Sequence, residues 1–250
     1  MQGLQAAMTH APLIDIHTRS EGFLSKIDIE DSRNPGAVLV TASFHPGAFA
    51  QSLFDSLHIV CPTHLMGAVE KRRAEYLAGR AMARAAMALL DHPPARVATE
   101  PGRAPLWPKG LSGSISHARG RCACLLSRDT THSYGVDTEA IASGRSLNAI
   151  LSETLNVTER DRITQGTFPS ATNATLTFSA KETLFKALFP QVGRHFGFDA
   201  AELTEAPGQT SLTLALTTDL TETLPTGRRF EIHHRLTGTH VLTWLSVPTP

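Results

Sequence analysis

Short apolar runs and two longer helical stretches alternate along this chain. Ala37 to Phe44 (AVLVTASF) and Ser56 to Val60 (SLHIV) have the length and content of strands, joined by a connection holding Pro46 and Gly47. A long helix rich in Ala, Leu and Met is predicted from about Met66 to Leu90, stopped by Asp91-His92-Pro93-Pro94. Pro101 to Gly113 carries three prolines and three glycines and reads as loop. Ser114 to His117 and Arg121 to Ser127 form a predicted hairpin around Ala118-Arg119-Gly120, and Ser133 to Glu139 is a further strand. Residues 144–173 are polar with helical pieces. A second helix is predicted from Ser179 to about Phe189, ended by Pro190. Ser211 to Thr217, Phe230 to Leu236 and His240 to Val247 complete the strands, the last two flanking the turn Thr237-Gly238-Thr239. This order predicts an α+β fold of two similar halves meeting near residue 132.

Composition narrows the class. With 250 residues, 41% hydrophobic and 18% charged, the chain is an ordinary globular sequence, large enough for one big or two small domains. Zero net charge argues against a general polyanion binder, and no nucleic-acid partner is expected. The charge is unevenly spread, however. Lys71 to Arg128 holds eleven basic residues and three acids, whereas Asp129 to Glu182 holds seven acids and four bases. That order suits a site for phosphates and a metal ion, although solvated faces give the same pattern. Cys61, Cys122 and Cys124 have neither the spacing of a disulfide framework nor a histidine pattern for zinc, and are expected as buried free thiols. No apolar run is long enough to span a bilayer, and the first residues lack the features of a signal peptide. A cytoplasmic protein is expected.

Four constellations could carry chemistry. In Asp137-Thr138-Glu139 the two carboxylates fall on one face of a strand, where a hard cation such as Mg²⁺ would relieve their repulsion. The same pair could simply face solvent. Ser179-Ala180-Lys181-Glu182 reads as a capping box, with Glu182 and Lys186 an i, i+4 pair on the first turns of a helix, where anions are favoured. There Glu182 could bind metal or accept a proton, and Lys181 and Lys186 could hold phosphates. Gly113-Ser114-Ile115-Ser116-His117 lacks the G-x-S-x-G elbow of a hydrolase, which leaves His117 either a structural residue or a phosphate or ribose contact. On the first long helix Arg73, Arg80 and Arg84 fall in one stripe with Arg72 to one side, either a solvated face or a phosphate clamp.

Taken in order, Lys71-Arg72-Arg73-x-Glu75-Tyr76-Leu77-Ala78-Gly79-Arg80, Pro105-Leu106-Trp107-Pro108 followed by Gly113-Ser114-Ile115-Ser116-His117, Gly135-Val136-Asp137-Thr138-Glu139, and Phe178-Ser179-Ala180-Lys181-Glu182-Thr183-Leu184-Phe185-Lys186-Ala187 resemble the 4'-phosphopantetheinyl transferase superfamily. The branch they resemble most is that of enterobactin synthetase component D, from about residue 36 to 190. The resemblance implies two pseudo-twofold-related subdomains, 1–132 and 133–250, each a small, mainly antiparallel sheet with a packed long helix. It implies a Mg²⁺ site, or a Mn²⁺ site, on Asp137, Glu139 and Glu182, with Glu182 also the base. Coenzyme A would be held by Arg72, Arg80, Arg103, Ser116, His117, Lys181 and Lys186, with Lys186 assisting catalysis.

The activity so implied is transfer of phosphopantetheine from coenzyme A to a carrier-protein serine, releasing 3',5'-ADP. The partner would be an apo carrier domain of a nonribosomal peptide, polyketide or fatty-acid synthase, and the pathway siderophore or other secondary-metabolite synthesis. A monomer is expected. Two rivals stand beside this reading: a non-catalytic coenzyme A-binding scaffold and a metal-dependent phosphohydrolase.

Overall fold

A computed structural model describes residues 2–99 and 104–250. The chain separates into two compact units, one running through Thr130 and the other Thr131–Pro250. Each is an antiparallel sheet with one long helix against it, so the fold is α+β.

The first unit contains helix α1 (Gln2–Arg19), strands β1 (Leu24–Glu30) and β2 (Ala37–Phe44), a helical turn α2 (Leu53–Ser56) and helix α3 (Glu70–Leu89). Strands β3 (Ala98–Thr99), β4 (Pro105–Leu106), β5 (Ser112–Ala118) and β6 (Arg121–Ser127) follow. The sheet order is β1-β2-β6-β5, with β3 and β4 paired separately. Helix α3 buries Ala74, Leu77, Ala78, Ala81, Met82 and Ala85, a stripe at intervals of three and four. These small side chains let it lie close to the sheet. At Gly79 a Cβ would come within 2.8 Å of the Ile115 side chain. Cys122 and Cys124 are buried on β6 as free thiols, and burial pushes the Cys122 thiol up to about 12 and Cys124 higher still.

Two features of this unit depart from the sequence pattern. Helix α1 and strand β1 were not anticipated; Leu13 and Ile16 are buried, as are Phe23 and Leu24. The expected strand Ser56 to Val60 is instead the end of α2 and a coil. Leu57 is buried and His58 and Val60 are exposed, so the period-two burial is real. However, the Leu57 N–H bonds to the Leu53 carbonyl, and His58 adopts a left-handed φ of 51°, which ends any extended run.

The second unit begins with β7 (His132–Ala140), α4 (Gly144–Ala149), a π-helical turn (Ile150–Thr154) and α5 (Val157–Thr164). It continues with α6 (Ser170–Val192), β8 (Ala201–Leu203), β9 (Ser211–Leu216), β10 (Arg229–Thr237) and β11 (His240–Pro248). The sheet order is β7-β11-β10-β9-β8, and α6 packs on β7 and β11. Among the described residues no helix is long and apolar enough to cross a membrane.

Helix α6 corrects the predicted start at Ser179. It begins nine residues earlier, at Ser170, and Ser179 is a buried mid-helix residue rather than an N-cap. The preceding residues are polar and β-branched, which disguises the helix. Their side chains are satisfied locally: Thr175 and Thr177 donate to the carbonyls of Ala171 and Asn173, at 2.7 and 2.8 Å. Pro190 sits inside the last turn, and Gly193, with φ of 67°, ends the helix.

Lys181 locks this helix to its surroundings. Its buried ammonium lies 2.9 Å from Glu159 Oε1 and donates at 3.0 Å to the carbonyls of Thr154 and Phe198. Glu159, fully buried, accepts from the backbone N–H groups of Leu203 and Asn156 at 2.8 and 2.9 Å. One ion pair thus joins α5, the π-helical turn and β8 to α6. Lys181→Met leaves the Glu159 charge buried without its partner. It is expected to lower stability by about 3–5 kcal/mol in urea unfolding, with partial recovery in Lys181→Met/Glu159→Gln. The thiols give a second test. Native protein exposed to iodoacetamide at mildly alkaline pH should be alkylated at the half-buried Cys61, and at Cys122 and Cys124 only after denaturation, as peptide mass mapping would show.

Candidate functional site

In the first unit Arg72 and Arg80 project from α3 and His117 from β5, and all three line one cavity of about 600 Å³. His64, Glu75, Tyr76 and Thr99 complete its polar wall, so one carboxylate stands among the basic groups. Arg80 is anchored. Its Nε donates to the Val97 carbonyl at 2.9 Å and a terminal nitrogen to Thr99 Oγ1 at 2.9 Å, while its guanidinium lies 4.6 Å from the Tyr76 ring centre. Burial lowers its pKa from the ordinary arginine value, an effect opposed by Tyr76. Two arginines and a histidine around a polar hollow suit a phosphorylated ligand. Ser116 is buried and does not line the cavity; strand alternation turns it from the face shown by Ile115 and His117. Arg103 lies outside the described residues. Arg73, in the same predicted stripe as Arg80, donates instead to Gln51 Oε1 at 2.7 Å. His64 and Thr99 carry no motif of their own and only the fold brings them here, whereas Tyr76 belongs to the motif on α3.

In the second unit the expected acids sit on β7 and α6. Asp137 is buried on β7 and pairs across the sheet with Thr243. Ser179 Oγ donates to its Oδ2 at 2.8 Å, and Lys186 Nζ to its Oδ1 at 2.7 Å and to the Val136 carbonyl at 3.1 Å. Glu139, half-buried, lies two residues along on the same face. Glu182 projects from α6. Burial raises its pKa and the Asp137 charge raises it further, while Lys186 and the exposed His195 pull it down. Asp137, Glu182 and Lys186 therefore form one electrostatic cluster. His195 is a neighbour that sequence spacing did not single out.

Two expectations change here. Lys181 does not face this cluster: its buried ammonium is spent on Glu159 and two carbonyls, a structural role in place of the expected phosphate-holding one. The argument from a helix N-terminus also lapses, because residues 179–186 lie in the middle of α6. Nor are three carboxylates gathered in a finished cage. Among the described residues no group of three or more His, Cys, Asp and Glu side chains is placed to hold a metal ion. The donor chemistry of Asp137, Glu139 and Glu182 does fit a hard divalent cation. All are carboxylates, and the Asp137 charge opposes ionisation of Glu182, which a cation relieves.

Comparison with known proteins places these residues in a family. The 4'-phosphopantetheinyl transferase N-terminal domain model matches residues 62–127, and the 4'-phosphopantetheinyl transferase superfamily model matches residues 133–243. Enterobactin synthase component D of Salmonella typhi is 37% identical over 144 residues, covering 56% of this chain and 58% of that protein. The 4'-phosphopantetheinyl transferase Svp of Streptomyces mobaraensis is 34% identical over 177 residues, 68% of this chain and 70% of its own. The 4'-phosphopantetheinyl transferase PptT of Mycobacterium tuberculosis is 36% identical over 138 residues, 54% and 60% of the two chains. Against the Salmonella and Mycobacterium proteins the match spans less than two thirds of the relative's length. With both units matched in order, and with the long match to the Streptomyces protein, this chain belongs to the 4'-phosphopantetheinyl transferase superfamily.

Proposed function

We propose that the protein transfers the 4'-phosphopantetheine arm of coenzyme A to a serine of an apo carrier domain, with 3',5'-ADP as the other product. The observation that carries this reading is the family match across both units, supported by a phosphate-suited cavity in one and an acid-lysine cluster in the other. The resemblance to enterobactin synthase component D supports a carrier in siderophore or related synthesis.

In this reading Arg72, Arg80 and His117 bind the nucleotide end of coenzyme A. Arg72 supplies one positive charge, and Arg80 a second that Val97 and Thr99 hold in place. Asp137, Glu139 and Glu182 would hold Mg²⁺ or Mn²⁺. A bound cation supplies charge neutralisation on the diphosphate oxygens as the phosphate bond breaks. Lys186 adds a fixed positive charge beside Asp137. Glu182, whose proton affinity is raised by burial and by Asp137, removes the proton from the carrier serine hydroxyl. That serine oxygen attacks the β-phosphorus, and the bond to the leaving 3',5'-ADP breaks. The protein resides in the cytoplasm in this reading, where coenzyme A and synthases meet.

Incubation with coenzyme A, Mg²⁺ and apo carrier proteins tests the proposal. The expected outcome is a carrier mass gain of one phosphopantetheine. Release of free phosphopantetheine would mean hydrolysis, and binding without transfer a scaffold; either outcome overturns the proposal. Glu182→Gln is expected to lower kcat by about 10²–10⁴-fold, in steady-state transfer assays, with the urea midpoint retained. Arg72→Ala is expected to raise KM for coenzyme A by about 10-fold or more at nearly constant kcat, as removal of a charge-assisted contact shared by ground and transition states requires.

A further inference from the structure

We infer that Thr183, Thr243 and Ser179 form a one-way chain of hydroxyl groups that positions the Asp137 carboxylate, and that Ser179 and Thr243 are positioning residues for the transfer reaction. The inference rests on the reading of Asp137 as a metal ligand.

The geometry is a line of short contacts. Thr183 Oγ1 lies 2.6 Å from Thr243 Oγ1, Thr243 Oγ1 lies 2.8 Å from Ser179 Oγ, and Ser179 Oγ lies 2.8 Å from Asp137 Oδ2. All three hydroxyl residues are fully buried. Two independent features of the fold build the line. Thr243 is the cross-strand partner of Asp137, so the two share one face of the sheet. Ser179 and Thr183 are four residues apart on α6, on the same helical face, and α6 packs on that sheet face.

The direction of the hydrogen bonds follows from proton counting. Asp137 is ion-paired with Lys186 at 2.7 Å, so it is a carboxylate and only accepts. Ser179 must then donate its one proton to Oδ2. The Ser179–Thr243 contact can form only if Thr243 donates to Ser179. Thr243 has no second proton, and a 2.6 Å contact between two oxygens needs one, so Thr183 donates to Thr243 Oγ1 in preference to the Thr243 carbonyl at 3.3 Å. Three O–H bonds therefore point the same way, toward Asp137, and each polarises the next. The result is an Oδ2 held from inside the protein, with the carboxylate plane set for the groups that meet Oδ1. Outer partners of this kind orient metal-ligating carboxylates.

Thr243→Val keeps the shape of the side chain and breaks the middle of the chain; Ser179→Ala removes its last member. Both are measured alongside Thr243→Ser, which restores the hydroxyl, and Asp137→Asn. The readouts are kcat and KM for coenzyme A, and the Mn²⁺ dissociation constant by electron paramagnetic resonance. Thr243→Val and Ser179→Ala are expected to weaken Mn²⁺ binding and lower kcat by about 10-fold, with KM for coenzyme A little changed and with Thr243→Ser close to the parent. Near-ultraviolet circular dichroism checks that each is folded, and Thr243→Val carries the test if Ser179→Ala is not. Folded variants with parental kcat and Mn²⁺ affinity would overturn the chain, including where only the urea midpoint falls. If Asp137→Asn itself keeps Mn²⁺ affinity and transfer, the metal reading fails and takes the chain with it. An impaired Asp137→Asn beside an unimpaired Thr243→Val rejects the chain alone.

Discussion

Everything in the second unit that bears on chemistry depends on how closely α6 approaches β7 at Gly135. A Cβ built on Gly135 would run into the Thr183 carbonyl oxygen and come within 3.1 Å of the Ala187 side chain. With only hydrogen there, the helix backbone rests on the strand. That approach lets Ser179 reach Asp137 directly, and lets Lys186 reach the Val136 carbonyl as well as the Asp137 carboxylate. A helix lifted by the thickness of a methyl group would stretch these contacts beyond hydrogen-bonding range. The acid-lysine cluster is thus a consequence of one missing side chain.

Close packing of this kind carries a cost, because α6 is polar as well as buried. Thr172, Asn173, Thr175, Thr177, Ser179, Lys181 and Thr183 are all buried. Each such group must find a partner or lose the free energy of its lost hydration. Thr175 and Thr177 bond within the helix, Ser179 and Thr183 bond to the sheet side, and Lys181 bonds to Glu159. Asn173 donates to the Ile163 and Phe168 carbonyls, while its Oδ1 has no partner. A helix held by so many specific bonds has few alternative seatings, which suits an element that must hold Glu182 and Lys186 in place.

The legible part of the fold was the part with strong period or strong punctuation. The hairpin β5–β6 around Gly120, the hairpin β10–β11 around Gly238 and the Ala-rich α3 follow from local pattern alone. The first nine residues of α6 were hidden because Thr and Asn favour caps and strands, and only burial among other elements makes them helical. The SLHIV segment shows the reverse error. Its alternation reports which side chains are buried, not whether a neighbouring strand bonds to it. At the site, Asp137, Glu139, Glu182, Arg72, Arg80 and His117 were visible through motif order. Thr243 was not, because its contribution arises only from strand register with Asp137.

The two lysines of the motif show how far spacing can be pushed. Residues five apart on an α-helix are turned by roughly 140° from one another, so Lys181 and Lys186 leave α6 from different faces. Lys186, four residues from Glu182, shares its face and reaches Asp137. Lys181 falls on another side of the helix and meets Glu159, the π-helical turn and the loop before β8. Adjacent motif letters therefore divide their labour by helical angle. Lys181 fixes the rotation of α6, and that rotation decides where Glu182 and Lys186 point. An alteration at Lys181 would reach the cluster through the helix as a whole.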